Sequence, residues 1–273
     1  MITLGMRASS LVLATSLLAL AACGSEAGGP ADEAAPAAAA STATPVPLEL
    51  KAADGVTVHA TRYPAERARA VVLLFHQANG SAAEYKAIAP RLAALGYEVL
   101  ATDQRSGGDL FGPNRTVNAN GRSSDFLSAE PDLDAALAWA RQRELPVIVW
   151  GSSYSAALVF RLAARHPGDI AALVAFSPGE YLGRPDAVRS AARQLSLPIF
   201  AAAASDPEEQ AALRTIVDAA PSQTETAYLP STGGIHGSST LDASRNPTGA
   251  DAAWISVTEF LKQLPPKEPT SAP

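Results

Sequence analysis

The chain has 273 residues, enough for one large domain or two small ones, and with 47% hydrophobic and 18% charged residues it can build a core, which excludes a wholly disordered polypeptide. Its 21 Lys and Arg against 27 Asp and Glu give a formal charge of -6 with no basic run, so the cationic stripe that nucleic-acid binding requires is missing. One Cys excludes an intramolecular disulfide and a Cys-based zinc cluster, and four His make a His-rich metal site a poor expectation.

Residues 1–22 combine a weakly basic start at Arg7 with an apolar run over 11–22. The run is too short to span a bilayer and is followed by polar sequence, as in a cleaved signal peptide. It ends in Leu20-Ala21-Ala22-Cys23, which resembles the lipobox of bacterial lipoproteins. That resemblance implies a diacylglyceryl group on the Cys23 thiol, a new N-terminus there, and a membrane anchor. Gly24 and Ser25 follow with no Asp, which in such lipoproteins implies the outer membrane, facing the periplasm. Loss of Arg7 with the signal leaves 20 basic against 27 acidic residues, a mature charge of -7. Residues 23–45 are rich in Ala, Pro, Gly, Ser and Thr and cannot bury enough to offset their ordering entropy, so they are expected to form a flexible tether. The tail 265–273 reads the same way, leaving a single folded domain over 46–264.

Within that domain a short strand is expected at 48–51 and an alternating, half-exposed strand at 56–63. Residues 70–76, Ala-Val-Val-Leu-Leu-Phe-His, are a continuous apolar run of the kind buried on both faces of a sheet. Helical spacing over 82–95 stops at Gly96, and 97–102 is strand again. A long loop, 103–129, precedes a helix over 131–144. Strands at 147–150, 171–176, 197–204 and 224–229 then alternate with helices at 155–166, 185–195, 208–219 and 251–264. About eight strands in repeated strand-helix-strand units imply a mainly parallel, three-layer α/β sheet with helices on both faces. Ligands in such sheets bind beyond the carboxyl ends of the strands, which directs attention to the loops after 75, 102, 150, 176, 204 and 229.

After Trp150 comes Gly151-Ser152-Ser153-Tyr154-Ser155, a strand-to-helix turn in which the central residue needs small neighbours two positions either side. Ser153 is that central residue, with Gly151 before it and Ser155 where the motif usually has Gly. A serine hydroxyl needs a base. Of the four His, His59 lies within a strand and His166 at the far end of a helix. His76 closes the buried strand. His236, in the glycine-rich Ser231-Thr-Gly-Gly-Ile-His-Gly-Ser, remains as the base. The imidazole needs an orienting carboxylate. Asp206, immediately after a strand, is the first candidate, although it also reads as a helix N-cap, and Glu180 competes. Asp103 is expected to pair with Arg105 in a structural turn.

The order Ser153, Asp206, His236 on strand ends, the Gly-x-Ser-x-small elbow, and Phe75-His76-Gln77-Ala78-Asn79-Gly80-Ser81 together resemble the α/β-hydrolase family, most closely its small esterase and dienelactone-hydrolase-like branch. The resemblance covers nearly all of 46–264. It implies an oxyanion hole built from the amide of Tyr154 and one from the loop after the third strand, Ala78 or Gln77, and implies that His76 shapes that loop. It also implies acyl transfer: His236 deprotonates Ser153, the hydroxyl attacks an ester-type carbonyl of a small-molecule substrate, and water releases the acyl group. No metal or organic cofactor is called for. With only 177–196 between two consecutive strands, one helix fits and a large lid domain does not; Tyr181 and Leu182 are expected to line an open pocket. The 103–129 loop, with Arg105, Phe111, Arg115 and Phe126, is expected to overhang Ser153. Peptidase or thioesterase chemistry shares the same machinery, and a catalytically inactive, lipid-anchored binding protein is the alternative from another class. Oligomeric state is not legible.

Overall fold

A computed structural model describes residues 44–264; the signal segment, Cys23, nearly all of the tether and the 265–273 tail lie outside them. The expected strands form as β1 (Val46–Lys51), β2 (Thr57–Tyr63), β3 (Ala70–Phe75), β4 (Tyr97–Thr102), β5 (Val147–Ser152), β6 (Ala172–Phe176), β7 (Ile199–Ala202) and β8 (Glu225–Tyr228). They form one sheet in the order β1-β2-β4-β3-β5-β6-β7-β8. The pairings of β2 with β1 and β4 are antiparallel, and all the others are parallel. The helices are α1 (Ala89–Ala94), α2 (Arg115–Asn120), α3 (Glu130–Arg141), α4 (Tyr154–Arg165), α5 (Ala187–Ala192), α6 (Pro207–Val217) and α7 (Ala250–Gln263).

Because side chains alternate along a strand, a sheet covered on both sides needs apolar residues at every position. β3 shows this directly. Val71, Leu73 and Phe75 join the core formed with α3, α4, α5 and α6, while Val72 and Leu74 join the core formed with α1 and α7. On the second face an aromatic column runs across neighbouring strands: Trp150 stacks on Phe176 at 5.0 Å, Phe176 meets Phe200 at 5.7 Å, and Phe200 meets Phe260 of α7 at 5.6 Å. Each such contact adds about 0.5–1.5 kcal/mol to the burial itself. The result is the three-layer α/β architecture expected. Only α5 stands between β6 and β7, with no lid domain.

Three local readings change. The helix expected over 82–95 is a 3-10 turn, Ala82–Tyr85, followed by α1. Pro90 has no N–H for the carbonyl at 86, and its ring would strike that carbonyl, so the two pieces cannot fuse. The 103–129 segment contains α2, started by Asn114, whose Oδ1 accepts Val117 N–H at 2.9 Å, and stopped by Gly121 at φ 73°. Finally, Asp103 pairs with Arg115, at 2.8 Å, and not with Arg105. Arg105 turns instead to Asp132, whose Oδ1 is 2.6 Å from Nη2, and to Asp54. Asp132 also accepts Arg105 N–H at 2.7 Å.

This ion pair anchors the segment to α3 from within, since Asp132 is wholly buried. Removing one partner of a buried pair strands the other charge. Arg105→Ala is therefore expected to destabilise the fold by about 3–5 kcal/mol in urea denaturation; a loss below about 1 kcal/mol, the worth of a surface pair, would contradict it.

Candidate active site

β5 must end and α4 begin within one residue, and Ser153 takes the turn at φ 58° and ψ −120°. Gly151 is required beside it, because a Cβ there would lie 2.4 Å from Ser155 O and 2.5 Å from Ala156 N. Ser155, the departure from the usual glycine, has its own task. Its hydroxyl accepts Ser152 N–H at 2.8 Å and donates to Phe75 O at 2.6 Å, tying the elbow to β3. Ser153 N–H donates to Phe176 O at 2.8 Å, so the strained residue is also held from β6.

His236 reaches this turn from the loop after β8. Its Nε2 is 2.8 Å from Ser153 Oγ, across 83 positions of sequence. Its Nδ1 is 2.6 Å from Glu209 Oε1. The carboxylate on the imidazole is thus Glu209, and not Asp206. Asp206 is the N-cap of α6, its Oδ1 accepting Glu208 N–H at 3.0 Å and Glu209 N–H at 2.9 Å. Glu180 is equally committed elsewhere, accepting Val188 N–H at 2.8 Å and Arg189 N–H at 2.9 Å ahead of α5. Glu209 stands in the first turn of α6, and its second oxygen takes Ala204 N–H at 3.2 Å. The loops carrying Glu209 and His236 are stitched together: Ser205 N–H donates to Gly234 O at 3.1 Å, and Gly234 N–H to Ser205 Oγ at 2.8 Å.

Electrostatics follow from these contacts. Burial works against ionisation of Glu209, but hydrogen bonds from His236 and Ser177 outweigh it and hold the carboxyl below its usual range. The hydrogen bond to Glu209 raises His236 above the ordinary imidazole value, against desolvation. Hydroxyl, imidazole and carboxylate thus stand in line, an arrangement chemically able to draw the proton from a serine.

The loop after β3 is fixed from several sides. His76 is fully buried, and burial holds it below the usual imidazole range. Its Nδ1 is 2.8 Å from Gln77 O and its Nε2 accepts Gln104 N–H at 3.0 Å. Of the two amides considered for the oxyanion side, Gln77 N–H is already given to Glu84 Oε2 at 2.7 Å. Neither Ala78 N–H nor Tyr154 N–H, the latter at the first position of α4, has a protein acceptor among the described residues. The 103–129 segment braces this loop: Gly108 N–H bonds Gly80 O at 2.8 Å and Leu110 N–H bonds Asn79 O at 2.9 Å. Gly107 fits only as glycine, since a Cβ would lie 2.4 Å from Gly80 O. Phe126 stacks on Tyr154 at 4.3 Å, and Ser106 Oγ is 2.8 Å from the Tyr154 hydroxyl. The segment expected to overhang Ser153 packs against the Asn79-Gly80 turn and against Tyr154, the residue after Ser153. Tyr181, partly exposed, bends over Gly179 so that its hydroxyl donates to Ser177 O at 3.3 Å and interacts with Ser153.

Glu209 is the functional residue that sequence reasoning missed. The signal was present in Asp206-Pro207-Glu208-Glu209, where Asp at N-cap followed by Glu three places on is a helix start, and the Glu projects from the first turn. Substitution separates the two carboxylates. In an NMR titration His236 should titrate above 6.5 in the unaltered protein and lower in Glu209→Gln. In Asp206→Ala it should be unmoved, with about 1 kcal/mol of stability lost with the cap. A drop in Asp206→Ala alone would reverse the assignment.

Comparison with known proteins follows the same lines. The profile of the family described as serine aminopeptidase, S33, matches residues 66–221. No curated protein sequence matches. Among solved structures, the dienelactone hydrolase of Anabaena variabilis superposes with a TM-score of 0.63 at 17% identity, covering 81% of this chain and 98% of that one. A Pyrococcus furiosus esterase gives 0.58 at 20% identity over 81% and 91%. A thermostable carboxyl esterase of Bacillus coagulans gives 0.62 at 14% over 82% and 99%. At such identities the likeness carries the fold alone.

Proposed function

Because the chain belongs to the serine aminopeptidase S33 family of α/β hydrolases, we propose that it is a serine hydrolase cleaving a small ester through an acyl-enzyme on Ser153. The observation that carries this reading is the unbroken line from Ser153 Oγ through His236 to Glu209, at 2.8 and 2.6 Å. In the proposed cycle His236 Nε2 takes the Ser153 proton as Oγ attacks the carbonyl carbon. The C=O electron pair moves onto oxygen, where the amides of Ala78 and Tyr154 receive it. On collapse, the imidazolium gives its proton to the leaving alkoxide, and water repeats the steps on the acyl-enzyme. Donors aimed at charge that exists only in the transition state supply about 3 kcal/mol each. Glu209 keeps the imidazole in the tautomer with Nε2 free to accept and offsets the charge it acquires.

The family description also supports an aminopeptidase. That activity requires an anion for the substrate's ammonium group. Around the site Glu209, Asp206 and Glu180 already accept hydrogen bonds from His236, from the first amides of α6, and from Val188 and Arg189. Their engagement favours a neutral ester. The decisive experiment is labelling with a fluorophosphonate. The unaltered protein is expected to label and Ser153→Ala to stay unlabelled, with hydrolysis of p-nitrophenyl acetate faster than of a thioester or an amino-acyl anilide. Absence of label on the unaltered protein would favour an anchored binding protein, and preference for the anilide would favour the peptidase.

Location is part of the proposal. A lipid on Cys23 would hold the enzyme at the cell envelope, and two or more acyl chains anchor stably where one is marginal. The full chain should partition into the detergent phase of Triton X-114 and Cys23→Ser into the aqueous phase; equal partitioning would remove the anchor from the account. Among the described residues no helix is long and apolar enough to cross a membrane.

A further inference from the structure

One buried acid takes no part in the cycle above. Glu84, in the 3-10 turn Ala82–Tyr85, is buried beneath the site. Its Oε2 accepts Gln77 N–H at 2.7 Å and its Oε1 accepts the Ser152 hydroxyl at 2.6 Å. Ser152 Oγ in turn accepts Ser238 N–H at 2.9 Å, and Ser238 Oγ accepts the indole N–H of Trp150 at 2.9 Å. One carboxylate therefore connects the residue before Ala78, the residue before Ser153 and the loop two residues past His236. The loops close tightly on this junction. Gly237, at φ 72°, could carry no side chain, because a Cβ would lie 2.6 Å from Ser152 Oγ and 2.8 Å from Gln77 Oε1.

A buried carboxyl is costly, and apolar residues of similar volume usually fill such a place at equal or better stability. Its presence exactly where three functional loops meet calls for a role in what they do. We propose that Glu84 is a positioning residue of the acyl-transfer site: by taking Gln77 N–H it aims the Ala78 amide at the oxyanion, and through Ser152 it holds the loop that presents His236. The inference rests on the serine-hydrolase reading and deepens it.

The geometry explains why an acid is used. Gln77 N–H and the Ser152 hydroxyl approach two different oxygens of one group, and a carboxylate offers both as acceptors at once. The anion also lies near His236 and supports its positive form. The groups facing Glu84 are His236 and Arg245 from the C-terminal loops, Tyr154 from α4 and Tyr85 from its own turn, with Lys86 and Asp242 lining the same pocket. Burial pushes the Glu84 carboxyl up to about 7, against the hydrogen bonds from Ser152 and Gln77 and the charges of His236 and Arg245.

The test uses the full chain in detergent with p-nitrophenyl acetate, and compares unaltered protein with Glu84→Ala and Glu84→Gln. Glu84→Ala is expected to lower kcat by roughly 10- to 100-fold with KM changed less than about threefold, because the donor it misaims acts in the transition state. In Glu84→Gln the amide oxygen can keep Gln77 N–H and the NH2 can donate to Ser152 Oγ, so kcat should recover to within about fivefold. Its acidic limb should nevertheless move to lower pH, because the anion that favoured imidazolium is gone. A merely structural group would shift thermal stability without moving that limb or splitting kcat from KM. Folded Glu84→Ala with kcat within about twofold of the unaltered enzyme would overturn the proposal. If that variant does not fold, a Glu84→Gln pH profile that superimposes on the unaltered one overturns it. Unaltered protein that neither labels with fluorophosphonate nor turns over removes the hydrolase reading itself, a different failure from active enzyme indifferent to Glu84.

Discussion

Ser153 sits at φ 58° and ψ −120°, a conformation that costs an L-residue on the order of 1–3 kcal/mol, and the surrounding loops are arranged to hold it there. The strain arises because a strand buried on both faces must become a helix at once if the hydroxyl is to stand above the sheet edge. Three contacts enforce it: the close approach at Gly151, the Ser155 hydroxyl bridging to Phe75 O, and Ser153 N–H on Phe176 O. The next strand ends similarly. Ser177 has φ 53°, gives its N–H to Ala202 O at 2.6 Å, and accepts Gly237 N–H at 2.9 Å on its hydroxyl. Strain at one strand end is thus backed by strain at its neighbour, and the loop after His236 leans on the second.

What could be read from sequence was what periodicity and punctuation encode. Continuous apolar runs such as Ala70–Phe75 have only one stable home, a doubly covered sheet, so strand number, layer count and the edge carrying the site were all legible. Pairings that depend on where a long side chain swings were not. Arg105 lies two positions from Asp103 but reaches Asp132 and Asp54, because its guanidinium turns into the layer under α3 while Asp103 takes Ala82 N–H at 2.7 Å and Arg115. The helix α2 was legible in principle, with Asn114 and Gly121 at its two ends, but six residues with little apolar periodicity give a weak signal.

The choice between Asp206 and Glu209 shows why proximity to a strand end is a poor guide to a carboxylate's partner. An aspartate at an N-cap has a short side chain and two amide donors within its own turn, so it folds back on the helix. A glutamate three residues later has one more methylene and points away from the axis. In an ordinary capping box it would return to the N-cap amide. Here Ala204 N–H occupies one oxygen and leaves the other for His236. Asp206 and Glu209 therefore divide the work: the first caps the helix, and the second reaches the imidazole from a position fixed by Ala204 N–H and His236.

The two glutamates of the site then diverge for a common reason. Both are penalised by burial, and each answers with the donors it can reach. Glu209, partly open to solvent, has His236, Ser177 and Ala204 and stays below its usual range. Glu84, enclosed, has one amide and one hydroxyl and is pushed up to about 7. In the proposed cycle, a carboxylate that counters an imidazolium has to remain ionised over the working range, and the Glu209 environment is the one of the two that favours this. Glu84 instead commits both oxygens to donors from neighbouring loops, Gln77 N–H on one and the Ser152 hydroxyl on the other, and Ser152 carries the link on to Ser238.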